Sequence, residues 1–352
     1  MALFFLLAFL LSCLFTFFIR QYALHKSLLD IPNHRSSHAV ATPRGGGLSV
    51  VIVFLIFMIA LQLFDLIQLA ANQLNSIILA SLLVAGIGFW DDHQHIAARW
   101  RFSVHLLAIL IVLLLLPKLP SIPLLGFSLN LSFFGFIFYS VSLVWLLNLY
   151  NFMDGIDGIA SLETISVSLG AALLLFIQGD HNWSVLLVLL AVTVAGFMVW
   201  NWPHAKIFMG DACSGFLGLI LGIFALMTTL GGLINLWSWL ILLAVFITDA
   251  SFTLITRFLG GERWYEAHCS HAYQNYARQL SQQFETQALD STKARTKAHK
   301  QIDLSLVIIN IFWLLPLAAI ASFYPFWGLF ISIIAFAPLV FIAKQLKAGQ
   351  AE

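Results

Sequence analysis

The chain has 352 residues, of which 61% are hydrophobic and only 9% are charged, and its formal net charge is +1. A soluble protein carries about a quarter charged residues, so this composition excludes an ordinary globular domain and predicts an integral membrane protein. The balanced charge gives no indication of a nucleic acid partner. Because a helix satisfies its own backbone hydrogen bonds in lipid, we predict an all-α fold that forms one polytopic membrane domain over residues 1–352.

The first apolar segment, residues 2–20, is predicted to be a retained membrane helix. No positive region precedes it and no small-residue cleavage site follows it, which argues against a signal peptide. Arg20 and Lys26 come after the apolar residues. Since basic residues collect on the cytoplasmic side of membrane helices, this order favours an N-terminus outside the cytoplasm.

About eleven apolar segments are predicted to cross the membrane, because each approaches the roughly 20 residues that a bilayer core requires. They cover residues 2–20, 46–64, 74–90, 102–117, 133–149, 158–177, 184–201, 212–230, 236–256, 303–322 and 325–343.

The placement of Lys and Arg predicts the orientation of these segments. Lys118 is the one basic residue in a connection that follows an even-numbered segment, and all others follow odd-numbered segments or lie in the tail. The positive-inside rule then predicts a periplasmic N-terminus and a cytoplasmic C-terminus. The cytoplasmic loops are approximately residues 21–45, 91–101, 149–157, 202–211 and 257–302.

The first predicted cytoplasmic loop ends in Arg44 and three glycines, Gly45 to Gly47. Glycine lets a backbone approach a ligand closely, and arginine offers a fork that matches phosphate. This pattern is compatible with a phosphate-binding loop. It is equally compatible with cytoplasmic anchoring by arginine and with glycine-mediated helix packing.

The third segment closes with two adjacent carboxylates, Asp91 and Asp92. Neighbouring carboxylates repel each other unless a cation or a proton lies between them, so the pair is a candidate for a metal site or a poised base. The alternative is a solvated acidic helix end that Arg99 and Arg101 neutralise.

The junction between the fifth and sixth segments carries a polar pattern at helical spacing. Asn148, Asn151, Asp154 and Asp157 each follow the previous one by three residues, which predicts one shared helix face. Oxygen ligands of this kind suit Mg²⁺. Polar contact between helices is the alternative interpretation.

Asp211 begins the eighth segment, after Lys206 and Phe208. Its carboxylate is expected near the free backbone N–H groups of a helix start, where aspartate also serves as an ordinary cap. Phe208 is a candidate for stacking on a nucleobase or for simple packing.

The last large loop contains Arg263 and the histidines His268 and His271, which are three residues apart. Together these groups are candidates for holding diphosphate oxygens during group transfer. A hydrated loop at the headgroup level is the alternative. All five motifs are predicted on one face of the bilayer, and their balance of carboxylates and basic groups fits Mg²⁺ with a pyrophosphate substrate.

Five motifs resemble, in content and order, those of the bacterial polyprenyl-phosphate N-acetylhexosamine-1-phosphate transferases of glycosyltransferase family 4: PRGGGL, GFWDD, NLYNFMDGIDGIA, KIFMGDACSGFLG and HCSHAYQ. The resemblance implies a multi-helix enzyme of the bacterial inner membrane with a cytoplasmic active site, and it is compatible with a homodimer. The implied reaction transfers a sugar-1-phosphate from a UDP-N-acetylhexosamine to undecaprenyl phosphate. It requires Mg²⁺ or Mn²⁺ and releases UMP.

The resemblance also implies roles for individual residues. Asp91 and Asp92 match the catalytic aspartate pair, and Asp211 matches a metal-ligating aspartate. Asn151, Asp154 and Asp157 match the motif where metal and nucleotide contacts gather, and Asp154 is predicted both to take part in catalysis and to ligate the metal. We predict that His268 and His271 take part in catalysis. The predicted substrate-binding residues are Arg44, Asn151, Asp157, Lys206, Phe208 and Arg263.

The form HCSHAYQ looks like the subgroup that initiates O-antigen or capsule synthesis with 6-deoxy-N-acetylhexosamines. The alternative substrate within the family is phospho-N-acetylmuramoyl-pentapeptide. Outside the family, a cation-coupled membrane transporter is the competing hypothesis, since Glu163 and Asp249 fall within predicted membrane helices.

Overall fold

The computed structural model describes residues 1–32, 40–94, 96–262, 268–287 and 289–350, and most of them are helical. The first eight helices are α1 Ala2–His25, α2 Leu48–Leu63, α3 Ala71–His93, α4 Ala98–Leu115, α5 Ser132–Met153, α6 Ile159–Ile177, α7 His181–Asn201 and α8 Asp211–Leu230. The remaining helices are α9 Leu236–Leu242, α10 Ala244–Leu259, α11 Ala272–Thr286, α12 Ser291–Ile309, α13 Leu315–Phe323 and α14 Gly328–Gln345.

Within the described residues, nine helical segments are long and apolar enough to cross a membrane. The helices α9 and α10 together make a tenth candidate, bent by 78° where they meet, and α2 is a shorter apolar helix. These segments confirm a helical, multi-pass membrane protein. The number eleven and the orientation of the termini stay predictions.

Two small β-ladders lie between helices of this all-α architecture. Strand β1 (Leu29–Asp30) pairs antiparallel with β2 (Thr42–Pro43), and β3 (Ile122–Leu124) pairs antiparallel with β4 (Phe127–Leu129). Strands this short give no recognisable alternation of apolar and polar residues. The first ladder leads directly into the glycines before α2.

Helix α8 lies at the centre of the bundle. In its most apolar 18-residue window 89% of the residues are buried, compared with 17% for α1, which lies at the outside. Helices α3 and α5 both pack against α8. The first turn of α8 therefore lies next to the ends of α3 and α5, where the acidic motifs are.

The close approach of α3 and α8 depends on Gly88. A Cβ atom at this position would lie 2.5 Å from the backbone of Ala212. Because real Cβ atoms do not come so close to backbone atoms, only glycine permits this helix crossing. The crossing brings Asp91 and Asp92 of α3 to the start of α8.

The described part of the predicted loop 257–302 is largely helical. Helix α11 buries Tyr273, Ala277, Leu280 and Phe284, whose spacing of about one turn gives the helix one apolar face. That face packs against α12. Helix α12 begins at Ser291 and continues through a π-helical turn at Asn310–Leu314 into α13.

Candidate functional site

Arg101 connects the acidic ends of α3 and α8. Its Nη1 atom donates to Asp91 Oδ2 at 2.7 Å and to Asp211 Oδ2 at 2.9 Å. The second carboxylate oxygen of Asp91 accepts from the backbone N–H of Ile96 at 2.7 Å. The cation that neutralises Asp91 in this structure is therefore an arginine.

Asp92 points in a different direction and caps α8. Its two carboxylate oxygens accept from the backbone N–H groups of Asp211 at 3.1 Å and Ala212 at 3.4 Å. These N–H groups carry the positive end of the helix dipole, so the contact stabilises an ionised carboxylate. Asp92 is buried, whereas Asp211 keeps 34% of its side chain exposed. Asp91 and Asp92 are adjacent in the sequence but have separate contacts, because Asp91 binds Arg101 and Asp92 caps α8.

The glycine motif before α2 pairs with the segment before α8. Gly46 and Gly47 donate their backbone N–H groups to the carbonyls of Phe208 and Met209, each at 2.9 Å. Arg44 donates from its guanidinium to the backbone carbonyl of Asp92 at 2.6 Å. Two amides of the expected phosphate loop are thus already hydrogen-bonded to carbonyl groups. The contribution of Phe208 that the structure establishes is this backbone pairing.

The polar stripe expected along α5 does not continue into one helix face. Asn148 and Asn151 lie on α5, but the helix ends at Met153 and residues 154–158 form a non-helical connection. The expectation that Asp154 and Asp157 share a helical face was wrong. Gly155 and Gly158 lie in this connection, so the helical spacing on which the prediction depended does not continue there.

Asn151 and Asp154 lie at the acidic centre of the site. Asn151 donates from Nδ2 to Ser214 Oγ at 3.0 Å, which ties the end of α5 to α8. Among the described residues, no donor reaches the Asp154 carboxylate. Burial, and then the charges of Asp211 and Asp92, raise the pKa of Asp154 well above its usual value.

The types of side chain at this site are those that a divalent cation takes as ligands. A carboxylate that lacks a donor and adjoins other carboxylates is stabilised by a positive ion, and the oxygen donors present suit Mg²⁺ rather than a soft metal. Among the described residues, no three His, Cys, Asp or Glu side chains converge closely enough to hold an ion in their present rotamers. Asp211 would have to exchange its contact with Arg101 for the metal.

A cavity of about 190 Å³ lies beside these carboxylates, between α3, α4, α5 and α8. Its polar lining comprises Arg101, His105, Asn148, Asn151 and Asp211. The rest of the lining is apolar, from residues such as Phe102 and Phe152. A cavity with a cationic and amide lining at one end and aromatic walls suits an amphipathic phosphate ester.

Asp157 lies in an environment opposite to that of Asp154. Its Oδ2 atom accepts from the backbone N–H of Ala205 at 3.0 Å and lies 3.5 Å from His299 Nδ1. Burial alone would raise the pKa of Asp157, but the polar contact and charge of His299, with the Ala205 N–H, outweigh it and lower the pKa below its usual value. Asp157 is therefore held as an anion, whereas the charge of Asp154 is disfavoured unless a proton or a cation accompanies it.

The two predicted catalytic histidines lie side by side, with ring centroids 4.8 Å apart. His271 Nδ1 lies 3.2 Å from Asp249 Oδ1, and Asp249 also accepts from the backbone N–H groups of Ala272 and Tyr273. Burial, and then the charges of His271 and Arg257, lower the pKa of His268 to about 4. His268 is accordingly neutral at physiological pH.

The HCSHAYQ motif is attached to the acidic connection between α5 and α6. Tyr273 donates from its hydroxyl to the backbone carbonyl of Phe152 at 3.0 Å. This hydroxyl and the Gln274 side chain both pack closely against Gly155. A Cβ atom at this position would overlap the tyrosine oxygen. The last large loop therefore helps to shape the centre of the site.

The sequence model described as glycosyl transferase family 4 matches residues 74–229. The chain is 30% identical over 254 residues to the phospho-N-acetylmuramoyl-pentapeptide-transferase of Streptococcus pneumoniae serotype 19F (strain G54), an alignment that covers 66% of this chain and 73% of that protein. The chain belongs to glycosyl transferase family 4. It is therefore an enzyme of the transferase class.

A second relative of this family 4 transferase carries a different name. The chain is 29% identical over 273 residues to the probable undecaprenyl-phosphate N-acetylglucosaminyl 1-phosphate transferase of Bacillus subtilis (strain 168), which covers 72% of this chain and 71% of the relative. Both names describe transfer of a sugar phosphate. They differ in the sugar, so similarity at this level defines the reaction class only.

Two predicted substrate residues of the family 4 transferase are not placed beside the carboxylates. The Lys206 ammonium lies over the Trp200 ring, 5.4 Å from its centroid, while the Lys206 carbonyl accepts from Arg20 at 3.1 Å. Arg263 lies outside the described residues. The remaining predicted residues come from helix ends that meet around the start of α8 and the α5–α6 connection.

Several site residues were not predicted from the sequence. Arg101 was considered only as a neutralising charge, and His105 was not considered, although their spacing of four places both on one face of α4. Tyr273 belongs to the HCSHAYQ motif, but nothing in the sequence indicated its role. His299 carried no recognisable signal, because its partner Asp157 is far away in the sequence.

Proposed function

We propose that this family 4 transferase moves an N-acetylhexosamine-1-phosphate from a UDP-sugar to undecaprenyl phosphate, giving undecaprenyl-diphosphate-sugar and UMP. The observation that carries the proposal is the cluster of Asp91, Asp154 and Asp211 with Arg101 and Asn151 beside an amphipathic cavity. Acidic oxygens next to the Arg101 guanidinium match a diphosphate substrate that arrives with Mg²⁺.

In this mechanism a phosphate oxygen of the acceptor attacks the sugar-bearing β-phosphorus of the donor, and the bond to the UMP oxygen breaks. Asp211 and Asp154, with Asn151, would hold Mg²⁺ or Mn²⁺, which neutralises the diphosphate charge when bound. Arg101 is then free to contact a phosphate oxygen. Positioning and charge stabilisation account for most of the acceleration in reactions of this type.

A dedicated base is not essential to this chemistry. The second pKa of a phosphate monoester is about 6, so the acceptor is largely dianionic at neutral pH. Asp91 and Asp92 are therefore proposed to position Arg101 and the first turn of α8. His268 and His271 are proposed to border the donor, with His268 as a neutral hydrogen-bonding group.

The acceptor tail requires an apolar path to this cavity. A second cavity of about 170 Å³ lies between α5, α8 and the bent pair α9–α10, and its lining is almost entirely apolar. It follows α5 from Phe138 to Leu149, two residues before Asn151. The polyprenyl chain is proposed to lie along this face of α5, with its phosphate directed to Asn151.

The finer assignments belong to the same proposal. The HCSHAYQ motif favours a 6-deoxy-N-acetylhexosamine and a role in O-antigen, lipopolysaccharide or capsule synthesis, with N-acetylmuramoyl-pentapeptide as the alternative. The proposed location is the bacterial inner membrane, with the site facing the cytoplasm. A homodimer is part of this expectation from the family.

The transporter hypothesis finds little support in its two key residues. Glu163 is completely buried and accepts from Asn310 Nδ2 at 2.7 Å, while Asp249 is occupied in capping α11. A coupling carboxylate must exchange ions with water, and these contacts favour structural roles instead.

The test is a panel of UDP-sugars, offered with undecaprenyl phosphate and Mg²⁺ to the purified enzyme. We expect a butanol-extractable lipid product and stoichiometric UMP from one N-acetylhexosamine donor. Asp211→Asn should lose at least about a hundredfold in kcat, and the exposed Asp290→Asn should keep full activity. Absence of product with every donor would contradict the proposed reaction, and full activity of Asp211→Asn would contradict the metal assignment.

A further inference from the structure

The acidic connection between α5 and α6 has a second anchor that lies late in the chain. Asp157 contacts His299 of α12, and Gly158 lies against Asp303 of the same helix. His299 and Asp303 are four residues apart, so they occupy one face of α12. The family sequence model ends at residue 229, well before both of them.

Three elements meet at the Asp157–Gly158 turn. The backbone N–H of Ala205 donates to Asp157, and the backbone N–H of Gly158 donates to Asn201 Oδ1 at 3.0 Å. Asn201 also donates from Nδ2 to the carbonyl of Ile207 at 3.1 Å. Helix α12 closes the third side, so the turn is held between α7, the segment before α8, and α12.

The contacts of Asp157 use only one of its oxygens. Both the Ala205 N–H and the His299 ring nitrogen face Oδ2, and no donor among the described residues reaches Oδ1. His299 is buried, and its Nδ1 atom lies 3.5 Å from Asp157 Oδ2 without forming a hydrogen bond to any of the described residues. Fixing Oδ2 in this way leaves Oδ1 available to a ligand.

Asp303 provides the second contact between α12 and the Asp157–Gly158 turn. It is 0% exposed, and neither of its carboxylate oxygens has a hydrogen-bond partner among the described residues. A Cβ atom at Gly158 would lie 2.8 Å from Asp303 Oδ2. A buried polar group without a partner is costly, so its retention against this turn indicates a role other than fold stability.

We propose that His299 and Asp303 are positioning residues of the donor site: they hold the Asp157–Gly158 turn so that Asp157 Oδ1 faces the uridine nucleotide. This inference rests on the proposed function and on the prediction, drawn from the family motif that contains Asp157, that this residue binds the donor nucleotide. The last large loop then contributes to the donor site twice, through Tyr273 at Gly155 and through α12 at Gly158.

The test compares variants of the full-length enzyme in detergent for UMP affinity by calorimetry and for the KM of both substrates. His299→Ala should raise the UMP Kd and the donor KM about tenfold, as expected for loss of one polar contact that orients Asp157. The KM for undecaprenyl phosphate should stay within about twofold, because the acceptor cavity lies elsewhere. Lys300→Ala, an exposed neighbour on α12, is the matched control and should change neither quantity.

Conservative variants separate positioning from folding. His299→Gln retains a donor and should recover part of the UMP affinity, and Asp303→Asn retains the shape and should bind UMP better than Asp303→Ala. The double variant Asp157→Asn/His299→Ala should bind UMP no more weakly than Asp157→Asn alone, because the effect of His299 passes through Asp157. If His299→Ala does not fold, His299→Gln must still raise the UMP Kd measurably.

The outcomes separate this inference from the proposed function. Wild-type enzyme that neither binds UMP nor transfers any sugar overturns the proposed function. Wild-type enzyme that binds UMP while His299→Ala and His299→Gln retain its Kd overturns the inference alone. Equal increases in donor and acceptor KM would also overturn it, since they would indicate general damage.

Discussion

The Tyr273 hydroxyl donates a hydrogen bond to the backbone carbonyl of Phe152 across 121 residues of sequence. This bond joins the HCSHAYQ motif of the last large loop to the end of α5, one turn from the acidic centre. It makes the loop part of the wall of the site rather than a separate cover.

Tyr273→Phe removes this bond without changing the packing of the ring. Since a neutral hydrogen bond contributes about 1 kcal/mol, we expect kcat/KM for the UDP-sugar to fall about fivefold. Tyr276→Phe, on the same helix, is the matched control and should retain wild-type kinetics. Steady-state transfer with the preferred donor checks both variants, and equal rates for the two would show that the Phe152 contact is irrelevant to transfer.

Gly155→Ala should be more damaging than Tyr273→Phe. The added Cβ atom overlaps the Tyr273 hydroxyl and contacts Gln274, so either α11 or the acidic connection must move. We expect a loss of activity of about a hundredfold, consistent with a small displacement of positioned groups. The double variant Gly155→Ala/Tyr273→Phe should recover part of it, because the obstructing oxygen is gone. A double variant as weak as or weaker than Gly155→Ala would place the clash elsewhere.

Arg101→Ala removes the cation shared by Asp91 and Asp211. We expect kcat to fall about a hundredfold if Arg101 contacts the phosphate during transfer. The apparent Mg²⁺ affinity should rise, because the metal no longer competes with a guanidinium for Asp211. Mg²⁺ titrations of the transfer rate measure both effects, with the exposed Arg99→Ala as the control. A higher half-saturating Mg²⁺ concentration in Arg101→Ala than in the wild type would contradict this competition.

His268 should make the folded protein sensitive to acid. Its pKa in the folded protein is about 4, below its ordinary value of 6.5, because burial and neighbouring positive charge oppose protonation. The unfolded chain therefore binds a proton first, so stability is lost as the pH falls from 6.5 towards 4. His268→Gln should show a smaller decrease in thermal midpoint over this range than the wild type. Parallel pH profiles of the two proteins would contradict the assignment.

The composition and local motifs were sufficient for the general architecture. Apolar segments near 20 residues in length predict membrane helices, because lipid leaves the backbone few alternatives. The starts and ends of α3, α5 and α8 follow from the same hydropathy, so the polar residues Asp92, Asn151 and Asp211 were correctly expected at helix ends. Regular spacing misled only where the helix stops, at Asp154 and Asp157.

What the sequence by itself determined is therefore a multi-pass helical enzyme of a recognisable family, with acidic motifs at the ends of its helices. Only the tertiary structure decided that Arg101 bridges Asp91 and Asp211, that Asp154 has no donor among the described residues, and that Asp157 faces His299. The physical reason is the distance along the sequence over which each kind of interaction acts. Hydropathy and spacing describe contacts within a few turns of one helix, whereas the charge around each carboxylate is set by side chains from helices that only packing brings together.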